Sequence, residues 1–541
     1  MMKTFKGIGV SSGYAVGKAC IIKNAKIDVN ASAYTTAEEE VQKFQNAVSA
    51  YTKETRQLID ELTRSAGKEN ADILNGHLTM LNDPFMLSQI NDSIASGKTA
   101  QQAVDAVCQS FYDMFSAVDD DMMKQRASDI LDIRNSVIEI LSGIRSTSIE
   151  NVPKGTILIA KDFTPSMTSR INRENVYAII AEAGSVTSHS AILARAIDMP
   201  AVLSVKSATE IIRDGDLLAV DGGSGKILLE PDAATIDEYE KLRQNYFKEK
   251  AELTEYFGKE TVTKSGIKKA VYANIGKPDD VDSVIHNGAE GIGLFRTEFL
   301  FMDRPSLPSE EEQYEAYSTV AKSMTGKEVI IRTLDIGGDK AVDYLEIPKE
   351  DNPFLGYRAI RYCLDNPEMF KSQLRALLRA AYFGEIKIML PLITDIDEVK
   401  AAKALISECE NELEEKGIPF KKNVPVGVMI ETPSAVFIAD TLAKEVDFFS
   451  IGTNDLTGYV MAVDRGNGKV SNLYSVHKEA VLRAIEIAIK SAKKAGIPVG
   501  MCGEAAADRD LIPLLVKWGL DEFSVTPSSV LATRKIICEC E

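Results

Sequence analysis

The chain has 541 residues, 45% hydrophobic and 26% charged, which suits two or three domains with sizeable cores. Its 62 basic and 80 acidic residues leave a net charge of −18, a balance that argues against nucleic acid or anionic membrane as a partner. The start, Met1-Met2-Lys3-Thr4-Phe5-Lys6-Gly7, has no signal-like apolar segment and no later stretch could span a bilayer, so a cytoplasmic location is expected.

Residues 1–20 read as a strand and a turn rich in glycine, Gly7-Ile8-Gly9-Val10-Ser11-Ser12-Gly13. From Thr36 to about Arg145 the pattern becomes helical. Val41, Phe44, Val48 and Tyr51 recur at helical spacing, as do Ile73, His77, Met80 and Leu81, and Asn82-Asp83-Pro84 breaks the second helix. This all-helical insert carries 18 acidic and 10 basic side chains over residues 36–145. That excess reads equally as a solvated surface or as a docking face for a basic partner.

After Val152-Pro153 the pattern turns β/α, with strands expected at Thr156–Ala160, Val176–Ala181, Leu217–Val220 and Ile227–Leu229. Asp221-Gly222-Gly223-Ser224-Gly225-Lys226 is a turn and not a phosphate-binding loop, because Ile227 follows the lysine. His189, one of four histidines, lies between the second of these strands and a helix that begins near Ala191, with Ser185, Thr187 or Ser188 as N-cap. Backbone N–H groups and the helix dipole favour an anion at such a junction. An imidazole there is largely neutral at cellular pH and can act as a nucleophile. The same place also suits a satisfied structural histidine, and it is the whole string TSHSAILAR that favours phosphoryl chemistry.

Residues 231–260 form a polar, charged helical segment without a core-forming stripe, the pattern of a solvent-bridging linker helix. Beyond it come eight short apolar runs alternating with helices: Val271–Ile275, Gly291–Phe295, Val329–Leu334, Ile386–Leu392, Val426–Ile430, Phe448–Ile451, Val499–Cys502 and Phe523–Val525. That rhythm is a (β/α)₈ barrel, whose chemistry gathers at the C-terminal ends of its strands. Those ends carry Arg296-Thr297-Glu298, Arg332 with Asp335 and the Gly337-Gly338-Asp339-Lys340 turn, Glu431, Asn454-Asp455 and Cys502-Gly503-Glu504, with Arg358 and Arg465 nearby. Each alone is an ordinary salt-bridge partner. Together, four arginines in an acidic chain point to a small polyanion. Glu431 and Asp455 suit Mg²⁺, which takes one or two carboxylates plus substrate oxygens. Seven scattered cysteines, odd in number and without a CxxC pair, indicate neither a disulfide framework nor structural zinc; of these only Cys502 ends a barrel strand.

The strings TSHSAILAR, GIGLFRTEFLFMDR, RTLDIGGDK, NPFLGYRAIR, GVMIETPSA, FFSIGTNDLT, AVDRGN and GMCGE, in this order over essentially the whole chain, resemble enzyme I of the bacterial phosphoenolpyruvate-dependent sugar phosphotransferase system. The resemblance implies a multidomain α/β protein. Residues 1–24 and 146–230 would form a swivelling phosphohistidine domain, 25–145 a helical subdomain binding the carrier HPr, 231–260 the linker helix and 261–541 a phosphoenolpyruvate-binding TIM barrel. It implies that His189 takes the phosphoryl group from phosphoenolpyruvate and passes it to a histidine of HPr, with Thr168 fixing its imidazole. Arg296, Arg332 and Arg465 would hold the substrate, supported by Arg358 and Asn454; Glu431 and Asp455 would ligate Mg²⁺, and Cys502 would protonate the enolpyruvate carbon. The strings RASDILDIR and HLTMLNDP resemble the family's carrier-binding helices, which places Arg126 at the partner surface, and a homodimer through the barrel is implied as well.

Three departures from the family pattern stand out. Ala183 replaces the first glycine of a Gly-Gly pair, which would stiffen the histidine loop; Gly458 replaces a commoner polar residue; and the chain stops at Glu541, where relatives usually add a helical tail, which bears on barrel closure and the dimer. Pyruvate phosphate dikinase and phosphoenolpyruvate synthase share the histidine and barrel, but they need a nucleotide-binding domain for which the roughly 20 residues ahead of the insert leave no room. The competing reading is a non-catalytic regulatory protein that senses phosphoenolpyruvate. Loss of His189, Cys502 or a metal ligand would favour it, and none is lost.

Overall fold

The computed structural model describes all residues except 1, 23–26, 67, 119–120, 145–148, 150–151, 169, 186–187, 303, 339–341, 346, 465–466 and 468. It divides into two compact units, Met1–Lys250 and Ala251–Glu541. Among the described residues no helix is long and apolar enough to cross a membrane.

The first unit is built on eight strands: β1 (Lys3–Lys6), β2 (Ile8–Ser11), β3 (Tyr14–Ile21), β4 (Thr156–Ala160), β5 (Val176–Ala181), β6 (Ala201–Leu203), β7 (Leu217–Asp221) and β8 (Lys226–Leu229). They form one sheet in the order β1-β8-β7-β3-β4-β5-β6-β2, with β3 to β6 parallel. β4 and β5 are apolar at almost every position because both faces are covered. Leu158, Ala160, Ile179 and Ala181 pack on one side with Phe163, Ile171, Ala191 and Ala194. Ile157, Ile159, Ala178 and Ile180 pack on the other with Val205, Ala208 and Ile212.

Five helices, Ala37–Ala66, Lys68–Leu81, Pro84–Ala95, Ala100–Ser116 and Asp121–Ser142, are inserted between β3 and β4. The break after Leu81 is a capped start: Asp83 accepts from the N–H groups of Phe85 and Met86 with Pro84 in the first turn. Thr99 and Gln102 form a reciprocal capping box at the fourth helix. Phe44, Tyr51, Met86, Ile90, Val104, Ile130 and Ile133 share the core of this bundle.

The charged helix Ala233–Thr254 carries the chain from one unit into the other, and its first half is not the solvent-bridging rod that its composition suggests. Tyr239 is buried with Val16, Ala219 and Leu228, and the Arg243 guanidinium stacks 3.8 Å from the Tyr177 ring centre. One aromatic residue and one stacked arginine anchor it where an apolar stripe is lacking.

The second unit is a closed barrel of eight parallel strands: β9 (Ala270–Ile275), β10 (Ile292–Phe295), β11 (Glu328–Arg332), β12 (Glu385–Leu390), β13 (Val426–Ile430), β14 (Phe448–Ile451), β15 (Val499–Met501) and β16 (Glu522–Val525). All eight expected runs are strands, and β16 closes on β9 through the register Glu522↔Ala270 to Val525↔Ala273. Closure is therefore complete within these residues. The last helix, Val530–Glu539, is fastened by Arg534, which is fully buried and donates to Thr261 Oγ1 at 3.1 Å, Tyr256 O at 3.0 Å and Gly288 O at 2.7 Å.

Replacing Arg534 by Ala leaves a buried hydroxyl and two partly buried carbonyls without their donor, an expected loss of about 2–4 kcal/mol in denaturant unfolding of the barrel. A loss within experimental error would show that this arginine does not fasten the last helix.

Candidate active site

Five of the barrel strands hand polar residues to the same end. Arg332 closes β11; Arg296, Glu431 and Cys502 directly follow β10, β13 and β15; Asn454 and Asp455 open the helix Thr453–Met461 after β14. With Arg358 they line a cavity of about 800 Å³. Arg465, Asp339 and Lys340 lie outside the described residues. A second cavity of about 400 Å³ shares Asn454 and Asp455 and is walled by Phe354, Gly458, Tyr459 and Tyr474.

The centre of the larger cavity is a chain of buried ion pairs. Arg332 pairs with Glu298, and its Nη1 lies 2.9 Å from Asp335 Oδ2. Arg358 Nη2 donates to Asp335 Oδ1 at 2.8 Å and to Asp455 Oδ2 at 3.2 Å. The sequence set Asp335 and Glu298 near strand ends but gave them no role; only the fold shows Asp335 joining two arginines. Burial works against charge on Arg332 and Arg358, yet the acids around them outweigh it and hold both guanidiniums more firmly protonated than usual. Arg358 also lies 5.6 Å from the Phe354 ring centre. Arg296 is exposed and has no ion pair among the described residues.

Glu431 is 2% exposed, and its Oε1 accepts from the Leu392 N–H at 2.6 Å. Burial, then the nearby Asp455 and Asp335, push its carboxyl up to about 8 against the pull of Arg332 and Arg358. Its Oε2 fills space that a side chain at Gly452 would take, since a Cβ there would stand only 2.8 Å away. Among the described residues no cluster of three or more His, Cys, Asp or Glu side chains could hold a metal ion. A two-carboxylate pair, Glu431 with Asp455, fits a hard cation that draws its remaining oxygens from substrate and water, and does not fit zinc.

Asn454 Oδ1 accepts from the Glu504 N–H at 3.0 Å, which ties the turn after β14 to the turn after β15. Cys502 between them is 4% exposed, with its Sγ 3.9 Å from Ile451 O. Burial above all pushes its thiol up to about 11, with Glu431 and Glu522 adding to the rise and Ser450 and Arg332 opposing it. Cys502 therefore carries its proton at neutral pH, which suits a proton donor and disfavours a thiolate nucleophile.

In the first unit, His189 opens the helix His189–Ala196 with Ser188 as N-cap; the His189 side chain lies outside the described residues. The Ser188 hydroxyl accepts from Ala191 N–H at 3.4 Å. Ser190 donates to Phe163 O at 3.0 Å and Asp162 Oδ1 at 3.2 Å, fastening the first helical turn to the segment that carries Thr168. Thr168 is buried and donates to Thr164 O at 3.0 Å. Among the described residues of the loop the left-handed one is Gly184, at φ +108°, whereas Ala183 is not among the positive-φ residues, so the alanine brings no backbone strain.

In the insert Arg126 is exposed, with Nη1 3.8 Å from Asp129 Oδ2. His77 is fully buried, with Nε2 3.3 Å from Asp129 Oδ1, so it belongs to the core of the bundle.

Residues 250–541 match the family model described as PEP-utilising enzyme, PEP-binding domain; 6–126 match its N-terminal domain and 152–225 its mobile domain. The chain is 44% identical over 534 residues to a phosphoenolpyruvate-protein phosphotransferase of Bacillus subtilis (strain 168), covering 98% of this chain and 94% of that one. It is 43% identical over 538 residues to those of Priestia megaterium and Staphylococcus carnosus (strain TM300), in each case 99% of this chain and 94% of the relative. Among solved structures, the NMR solution structure of an Enzyme I protein (nEIt) aligns with a TM-score of 0.39 and 31% identity over 45% of this chain and 99% of that one. Identity at this level, sustained from end to end, places the chain in the phosphoenolpyruvate-protein phosphotransferase family.

Proposed function

We propose that the protein moves the phosphoryl group of phosphoenolpyruvate onto its own His189 and then onto a histidine of the carrier HPr, releasing pyruvate, as the first step of bacterial sugar uptake. The observation that carries this reading is the convergence of Arg332, Arg358, Glu431, Asp455 and the protonated Cys502 on one cavity. Phosphoryl transfer asks a protein mainly for positioning and for charge to be met as it develops. Arg296, Arg332 and Arg465 hold the phosphate and carboxylate, with Arg358 and Asn454 behind them. Glu431 and Asp455 would hold Mg²⁺, which would supply Lewis-acid neutralisation of the phosphate charge. Once the phosphoryl group has left, Cys502 gives its proton to the methylene carbon of enolpyruvate, and the product becomes pyruvate.

His189 and the barrel cavity belong to different units, so turnover requires His189 to meet phosphoenolpyruvate and then the carrier in sequence. The charged helix between the units is the natural place for that motion. Thr168 steadies the His189 imidazole, and the acidic helical insert, with Arg126 on its surface, receives HPr. The homodimer forms through the barrel.

His189→Ala is expected to abolish labelling from phosphoenolpyruvate carrying radioactive phosphate while leaving thermal unfolding unchanged. Label that survives on the variant, for instance on His77, His286 or His477, would contradict the assignment.

Metal binding is expected to compete with a proton on Glu431. Its carboxyl holds that proton below about 8 and must lose it to bind a cation, so divalent-ion affinity rises with pH and levels off near 8. Calorimetry across this range should show proton release on Mg²⁺ binding, abolished in Glu431→Gln. Affinity independent of pH in the unaltered protein would argue against Glu431 as a ligand.

A further inference from the structure

The barrel interior beneath Cys502 is lined unevenly. Leu294, Ile330, Met389, Met429 and Phe448 form an apolar wall that includes Cys502. β9 and β16 instead contribute polar groups. Ser524 Oγ donates to Asn274 Oδ1 at 2.6 Å, and Asn274 Nδ2 donates to Cys502 O at 3.1 Å and Ser524 O at 3.2 Å.

Glu522, at the start of β16, extends into this interior. Two strands have no side chain where its carboxyl lies: a Cβ on Gly293 would stand 2.1 Å from Oε1, and one on Gly500 would stand 2.9 Å from Oε2. Cys502, whose N–H still donates to Ile451 O just past the end of β15, lies two residues beyond Gly500 and faces the same side, so the carboxyl occupies the level beneath the thiol. Its Oε1 is buried without a hydrogen-bond partner. A glutamine would fill the same volume and offer the same oxygen without titrating, so packing alone does not account for an acid here.

The charged groups around Glu522 come from three strands and the turn before β16. Lys387 Nζ lies 2.7 Å from Glu328 Oε1, Tyr272 donates to Glu328 Oε2 at 2.9 Å, and Asp521 precedes Glu522. Burial pushes the Glu522 carboxyl up to about 8, with Lys387 opposing and Glu328 and Asp521 adding to the rise. An acid so placed holds a proton at neutral pH and can release it to a stronger base.

We propose that Glu522 is the internal acid that restores the proton of Cys502 between turnovers. The proposal rests on Cys502 as the donor to enolpyruvate. In that step the S–H bond breaks, a C–H bond forms at the methylene carbon, and the electron pair stays on sulfur as thiolate. The thiolate then takes the Glu522 proton across the polar side of the interior, leaving a carboxylate beside the Lys387 ammonium. Water at the opposite rim, where the Glu328 side chain is 40% exposed, returns a proton to Glu522. Because it works through Cys502, Glu522 is a positioning residue.

The test follows pyruvate release by the full chain with phosphoenolpyruvate, Mg²⁺ and excess carrier, in the first turnover and at steady state, from neutral to alkaline pH. Glu522→Gln is expected to give a first turnover at the unaltered rate and later turnovers at least about tenfold slower. It should also lose the decline in steady-state rate expected of the unaltered protein above about 8. Gly500→Ala, whose methyl displaces the carboxyl without removing a titratable group, should reproduce the fast first turnover and slow steady state. Both variants matching the unaltered protein in both phases would overturn the proposal. Equal slowing of first and later turnovers would overturn it as well, leaving Glu522 a structural acid. Cys502→Ala, run alongside, should fail in its first turnover; a normal first turnover there would defeat the Cys502 assignment itself, a separate failure.

Discussion

Asp335 is the joint on which the barrel mouth depends. It meets Arg332 at 2.9 Å and Arg358 at 2.8 Å, and all three are nearly withdrawn from water. Buried charges are costly unless paired on several sides, and removing one member strands the others. Two guanidiniums sharing one carboxylate are fixed in place before any substrate arrives. That preorganisation lets a site stabilise charge as it shifts, because no reorganisation is needed at the moment of reaction. Asp455 joins the same chain through Arg358 at 3.2 Å, so this carboxylate and the arginines are positioned together.

The same burial sets the protonation of the groups around the cavity. It holds the Cys502 thiol up at about 11 and, with Asp455 and Asp335, the Glu431 carboxyl up at about 8. One wall thus keeps a thiol charged with its proton, while the other keeps a carboxyl ready to exchange its proton for a cation. In the proposed function, proton donor and metal ligand are thus separated by environment, the usual way a fold divides acid and base duties among neighbours.

The barrel was legible in the sequence because parallel strands buried on both faces appear as short, unbroken apolar runs; Val426–Ile430 and Phe448–Ile451 match their strands end to end. The cavity residues were legible for a related reason, since chemistry collects where those runs stop. What the sequence hid were relations across space. β6, Ala201–Leu203, is too short to show a period and is recognisable only by its pairing with β2 and β5. The helix Ala233–Thr254 looked free of any core because hydropathy does not count an arginine stacked on Tyr177. Nothing in the string RTLDIGGDK says that its first aspartate will join the string's own arginine to Arg358 of a separate segment. Glu522 was hidden by two glycines on other strands that make room for it.

The proposed function divides the work between a barrel that handles phosphoenolpyruvate and a histidine domain that exchanges with the carrier. The most direct test is to measure both half-reactions in Glu431→Ala of the full chain. Label from phosphoenolpyruvate should fall by orders of magnitude, as expected for a lost metal clamp, while transfer from phosphorylated carrier back to His189 should proceed as in the unaltered protein. Equal loss of both half-reactions would contradict the division of labour.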